Sequence, residues 1–249
     1  QIAALWLNFS LGRSARDPSG LHTEDPELTV GDNAVTYRGR SNVAGYRGIA
    51  VGFPGGMNYA FNAQNGALSA IWKGRFVKVG WAGQGSGNFT PAERAIQLAQ
   101  DVAFLAEATD PWPLGPQRSK ENPVNPDPLY PRQHGYAFQG YSISENGIPT
   151  FRYKSEDIGI EDTTFPFGDN SRTFLRRNLS FQTDKATNIH FRVLTGKIDN
   201  VSATVFKNED LQVTLGDGSA RVKPQVRQSS GGELILTIGL PAGTSNLTI

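Results

Sequence analysis

The chain has 249 residues and a mass of 27.0 kDa, and its 24 basic against 23 acidic side chains leave it nearly neutral. That balance, with no run of like charge, argues against a nucleic-acid partner, whose affinity comes largely from neutralising phosphates. The absence of cysteine excludes disulfides, thiolate metal sites, thiol nucleophiles and covalent haem attachment within these residues, while 28 glycines and 15 prolines suit short strands joined by tight turns.

The start at Gln1 suits a processed or excised chain, and the apolar fragment 2–7 is far shorter than the ~20 residues of a membrane span, so no span is expected. The first third reads as a meander, with strand-like runs at 34–38, 48–53, 57–62, 67–72 and 75–79. Between the third and fourth, Asn65-Gly66 predicts a hairpin turn because that pair tolerates positive φ. At Thr90-Pro91-Ala92-Glu93 the pattern changes to a capping residue, a proline suited to a first helical turn and a glutamate three residues on. Ala95, Ile96, Ala99, Val102, Ala103 and Ala106 follow at helical spacing, so one helix is expected over 91–107.

Seven prolines in the 21 residues 111–131 rule out a strand or helix there and mark an ordered connection or a linker. The chain is thus read as one domain, 1–249, with a proline-rich connection, or alternatively as subdomains 1–110 and 132–249. Nine further strand-like runs follow, at 136–144, 148–154, 158–163, 173–182, 188–194, 201–206, 211–215, 220–226 and 234–238. Since no helices alternate with them, the expected architecture is an all-β, two-sheet antiparallel β-sandwich, with the galactose-mutarotase-like supersandwich as a large form of it.

Several segments carry a resemblance to a family. They are Gly48-Ile-Ala-Val-Gly-Phe-Pro-Gly-Gly-Met-Asn-Tyr-Ala-Phe, Leu68-Ser-Ala-Ile-Trp-Lys-Gly-Arg-Phe-Val, Gly83-Gln-Gly-Ser-Gly87, Pro111-Trp-Pro113, Phe138-Gln-Gly-Tyr-Ser-Ile and Gly147-Ile-Pro-Thr-Phe-Arg-Tyr153. Together, across roughly 35–182, the chain resembles an uncharacterised β-rich module of large secreted proteins from planctomycetes and verrucomicrobia. The resemblance implies a bacterial, secreted or periplasmic setting, with c-type cytochrome and dehydrogenase-like propeller domains as neighbours in the same polypeptide. It implies no catalytic residues, and since this chain lacks a haem-attachment motif, electron transfer would belong to a neighbour. In that setting the five Asn-x-Ser/Thr sequons, at Asn8, Asn88, Asn178, Asn200 and Asn246, are incidental.

Candidate chemistry is sparse. His134 closes the proline-rich segment, where loops tend to carry function, and with Glu161 or Asp162 it could form an acid–base pair of the kind a mutarotase-like enzyme uses. A separation of 27 residues carries no geometry, however, and a loop histidine making one hydrogen bond is the plainer reading. His22, His134 and His190 lack metal-ligand spacing, and the paired carboxylates Glu156-Asp157, Glu161-Asp162 and Glu209-Asp210, with Asp217, match no calcium loop, so neither metal nor cofactor is expected. Gly83-x-Gly85-x-Gly87 lacks the context of a dinucleotide site. Arg176 and Arg177, as strand neighbours, should point to opposite faces.

Aromatic residues give the better lead. Trp81 in a glycine-rich run and Trp112 between two prolines suit exposed loop positions, where they and Tyr141 could stack on sugar rings; Trp72, ending an alternating strand, reads as core. The first expectation is a non-catalytic carbohydrate-binding or accessory module of an exported multidomain enzyme. The alternatives are a carbohydrate-active epimerase, lyase or hydrolase using the His/carboxylate pair, and a structural domain docking a cytochrome or propeller partner.

Overall fold

A computed structural model describes residues 26–80, 87–98, 102–105, 107–108, 135–168, 173–228 and 232–249. The all-β antiparallel sandwich expected from the strand pattern is what these residues form, with their strands spread over five sheets. A central sheet contains β2 (Val35–Ser41), β3 (Gly45–Gly52), β4 (Met57–Asn62), β5 (Ala67–Lys73) and β8 (Ile96–Gln97), in that order. Against one face lies a back sheet of β1 (Glu27–Leu28), β6 (Val77–Gly80) and β7 (Asn88–Pro91). Against the other lies a front sheet of β10 (Tyr136–Ile143), β11 (Pro149–Ser155), β12 (Ile158–Gly168), β13 (Thr173–Thr183) and β20 (Gly243–Thr248). A flanking sheet joins β18 (Val222–Arg227), β19 (Glu233–Leu240), β14 (Thr187–Thr195) and β9 (Phe104–Leu105), and a small one joins β15 (Asp199–Ser202), β16 (Val205–Lys207) and β17 (Gln212–Thr214). No helix among the described residues is long and apolar enough to cross a membrane.

The apolar run through β3 and β4 follows from burial on both faces. Ile49, Val51, Tyr59 and Phe61 enter the large core, where Phe61 lies flat on Phe151 of the front sheet at 4.0 Å between ring centroids. The intervening residues Ala50, Ala60 and Ala70 sit in register across three strands and face the smaller core of Val77, Val79 and Phe89. Alanine there has no bulk beyond Cβ, which lets the back sheet approach closely. Trp72 is core, as its position in the alternation predicts, and its indole N–H donates to the carbonyls of Arg75 and Phe76 at 3.0 and 2.9 Å.

The hairpin at Asn65-Gly66 forms as read. Gly66 takes φ 74°, its amide donates to the Asn62 carbonyl at 2.9 Å, and the Asn65 side chain accepts from the Ala67 amide at 3.1 Å. The large core draws residues from both sides of the proline-rich segment: Phe104 of β9 packs on Phe181 and stacks on Phe191 at 4.6 Å, and the Tyr136 hydroxyl donates to the Ala63 carbonyl at 3.0 Å.

The helix expected over 91–107 is absent from the described residues, which place the last residue of β7 and two short strands in that interval. Pro91 ends β7 opposite Val77, Ile96 and Gln97 extend the central sheet opposite Ile71 and Ala70, and Phe104 and Leu105 pair with Phe191 and His190. Sheet edges capture this backbone: the Leu98 amide donates to Ser69 and the Ala103 amide to Asn65. The apolar residues that recur at helical spacing go to different cores, Ala95 to the smaller and Ala103 to the larger, so tertiary burial overrides the local pattern.

Candidate functional site

The front sheet presents two faces of opposite chemistry because successive strand residues alternate. Its inner face carries Phe151, Tyr153, Ile160, Leu179, Phe181 and Leu247 into the core. Its outer face is built of three cross-strand rows that follow from the register. One runs Gly140, Arg152, Glu161, Ser180 and Asn246; a second runs Ala137, Lys154, Gly159, Gln182 and Thr244; the third runs Ser142, Thr150, Thr163, Asn178 and Thr248. Hydroxyls and amides cross-link these rows: Thr150 and Thr163 share a hydrogen bond of 2.8 Å, Thr244 donates to Gln182 at 2.6 Å, and Thr248 donates to Asn178 at 3.2 Å.

In the middle of this face lies a depression of about 370 Å³ lined by Gln139, Arg152, Glu161, Ser180, Gln182 and Thr244. Gly159 lines it without a side chain, and Gly140, in register with Arg152, stands where a Cβ would meet nothing within 4 Å. Gly140 takes φ 113° where the β10–β11 register slips, which is a bulge that turns Gln139 toward the depression. Arg152 and Glu161 face each other in register, both exposed, and no ion pair joins them among the described residues. The groups on offer are guanidinium, carboxylate, amide and hydroxyl, the set that satisfies sugar hydroxyls.

The same face continues along β12 and β13 past the point where β11 and β20 stop pairing. There the two strands form an arm whose outer positions, two, four and six residues beyond Glu161 and Ser180, include Phe167 and Phe174. These are a directly opposed pair, 48% and 54% exposed, and the Arg176 guanidinium lies 3.3 Å above the Phe167 ring centroid. Two exposed aromatic rings side by side on a sheet extension are unusual for a solvated surface.

The residues singled out in the sequence fare differently. Trp81, Trp112 and His134 lie outside the described residues. Tyr141 is half-buried at the rim between two sheets, with its ring 5.7 Å from Phe151 and under Arg38 of the central sheet, on the side opposite the depression. Glu161 and Asp162, adjacent in sequence, point to opposite faces. Asp162 is 1% exposed and held by Arg177, whose Nη2 and Nε donate at 2.6 and 3.0 Å, and by the Tyr153 hydroxyl at 2.9 Å. Arg177 faces inward and Arg176 outward, as strand alternation requires.

That inner cluster is electrostatically tight. Burial works against the Arg177 charge, but the field of Asp162 and the hydrogen bonds to it hold the guanidinium above its ordinary range. The phenols of Tyr59 and Tyr153 are pushed well above theirs, by burial first and by the negative Asp162 second. Such an arrangement keeps charges fixed inside a core; with every Asp162 contact directed inward, its carboxylate is closed to a ligand outside. Gly135 bonds to the β11–β12 turn through the Glu156 amide, and Glu161 lies three residues along β12 from the end of that turn, roughly 10 Å by strand rise. Among the described residues no group of three or more potential metal ligands converges.

Comparison with protein-family models, with curated proteins and with solved structures finds no match.

The sequence reading missed Phe167 and Phe174. Their signal is Phe165-Pro-Phe167 and Phe174 flanking Gly168-Asp-Asn-Ser171, aromatic residues at alternate positions on either side of a turn composition.

Proposed function

We propose that this chain is a non-catalytic carbohydrate-binding or accessory module of an exported multidomain enzyme, and that it binds glycan along the outer face of the front sheet. The observation that carries this reading is the union, on one face, of an open polar depression with exposed rings at Phe167 and Phe174. Aromatic rings stack on the apolar faces of sugars while the polar groups take their hydroxyls. Glu161 and Phe167 are six residues apart on one strand, roughly 20 Å, a length suited to an extended chain of several sugar units rather than a single sugar. The catalytic alternative loses one of its two carboxylates, since Asp162 is enclosed with Arg177.

A glycan array followed by isothermal titration calorimetry tests the proposal, with Phe167→Ala/Phe174→Ala as the diagnostic variant. Stacking contributes about 0.5–1.5 kcal/mol per ring, so the double substitution should weaken binding roughly fivefold to a hundredfold. Both rings are about half exposed, so the fold should survive. Absence of saturable binding to any glycan by the unaltered chain would refute the reading.

A further inference from the structure

We infer that the glycan taken by this face is an acidic polysaccharide, one bearing anionic groups along an extended chain; the inference rests on the carbohydrate reading above. Between the turns, the three cross-strand rows and the arm carry Arg152, Lys154 and Arg176 against the single carboxylate of Glu161. The turn carboxylates Glu145, Glu156 and Asp157 lie at strand ends, outside these rows, while exposed Asp217 borders them beside Thr248 at the β20 edge, so three cations stand against two carboxylates. A chain that is nearly neutral as a whole therefore has a net positive face at its candidate site.

The cations are also presented in a usable form. The guanidinium of Arg176 lies 3.3 Å over the Phe167 ring centroid, which holds a cation able to take an anion in fork geometry beside an exposed ring. Arg152 is exposed and lies opposite Gly140, where even a Cβ would meet nothing within 4 Å. Arg176 is four residues along β13 from Ser180, the residue in the Arg152 row, and two strands across, which places the two backbones roughly 16 Å apart. Two guanidiniums at that separation, with hydroxyls and amides between them, match a ligand with repeated charges rather than one small anion.

The purified 249-residue chain should be titrated with polygalacturonate as the carboxylated probe, dextran sulfate as the sulfated probe and a soluble neutral xylan. Arg152→Gln and Arg176→Gln are the variants, with circular dichroism melting to verify the fold and duplex DNA as a non-glycan polyanion. Binding to polygalacturonate, to dextran sulfate or to both, at least tenfold tighter than to xylan, weakened by added salt and weakened tenfold or more by each substitution, supports the inference, and the two probes tell carboxylate from sulfate. Xylan bound as tightly as the anionic glycans, unaffected by either substitution, overturns the acidic ligand and leaves carbohydrate binding standing. No binding to any glycan overturns both. Duplex DNA bound as tightly as the glycans and equally sensitive to the arginine substitutions overturns the inference in favour of a general polyanion surface.

Discussion

Removing Arg177 should cost this protein a large part of its stability, and the structure says how much. Asp162 is 1% exposed and receives two guanidinium contacts and one phenolic hydrogen bond. Arg177→Met keeps much of the aliphatic volume but leaves a buried carboxylate with only the Tyr153 hydroxyl as a donor among these. Breaking a buried pair from one side typically costs about 3–5 kcal/mol, against a total of about 5–15 kcal/mol for a domain. At about 2–4 °C per kcal/mol for a chain of this size, the melting temperature should fall by roughly 6–20 °C. Replacing both partners, as Asp162→Leu/Arg177→Met, removes the orphaned charge and should recover most of the loss, because a buried pair is often no better than apolar packing of the same volume. Urea denaturation of both single variants and the double variant closes the cycle, with an expected coupling above about 2 kcal/mol. A loss below about 1 kcal/mol for Arg177→Met, or additive effects in the cycle, would refute the buried-pair argument.

Alkaline pH should unfold the protein cooperatively. Tyr59, Tyr136 and Tyr153 are held protonated well above 10, by burial first and Asp162 second, so the stability from their neutral burial is complete below the unfolded value of 10 and is lost as pH rises above it, at up to about 1.4 kcal/mol per pH unit for each. Tyrosinate absorbance from these three should appear together with the loss of circular dichroism; ionisation of them in a folded protein would contradict the burial argument. Gly66→Ala should destabilise by roughly 1–3 kcal/mol, since φ is 74° and a Cβ would lie 2.7 Å from the Tyr136 ring; a melting temperature equal to that of the parent would show that the turn relaxes freely. Phe61→Ala removes the ring stacked on Phe151 between two sheets and should cost about 3–5 kcal/mol in urea denaturation, whereas Phe174→Ala, at an exposed position, should change stability by less than about 0.5 kcal/mol.

Much of the fold was legible because most strands bury one face and so alternate. β4 and β5 fall where Asn65-Gly66 and the flanking apolar residues put them, and β10, β11, β13 and β14 begin and end within a residue of their pattern, whereas β12 runs five residues past the expected end at 163. The misses have local causes. β20 buries only Ser245 and Leu247 among six largely polar residues, too few to register as a strand. The run 201–206 spans a hairpin of β15 and β16, of which β15 is exposed at all four positions and β16 has three residues, so neither shows a clear alternation. The interval 91–107 read as helix because alanine and a capping box are local signals, while the pairing that decides its structure is with β5, β6 and β14, which no window of neighbouring residues contains. For the same reason the division of strands into five sheets could not be read: the order β18-β19-β14-β9 joins segments more than 100 residues apart.

The candidate site was less legible than the fold for a reason that applies to sheet surfaces generally. A binding face on a sheet is assembled across strands, so its members are spaced in sequence by the lengths of turns and strands rather than by any motif. Arg152, Glu161, Ser180 and Asn246 form one row, yet span nearly a hundred residues and separately look like ordinary solvated strand positions. Residue type alone favoured Tyr141 and Asp162, a sugar-stacking ring and a titratable carboxylate. Alternation sends both inward, Tyr141 to a packing contact with Phe151 and Asp162 to Arg177. What alternation leaves outside is then informative: Phe167 and Phe174 share the solvent face with Glu161 and Ser180, on an arm where two strands continue without their neighbours. Phe167 and Phe174 stay about half exposed opposite each other, with Arg176 over one ring, although Phe165 and Leu175 of the same extension pack against the large core. That exposure is the physical ground for the proposal that they meet a ligand, and it becomes visible only once the register of β12 and β13 is known.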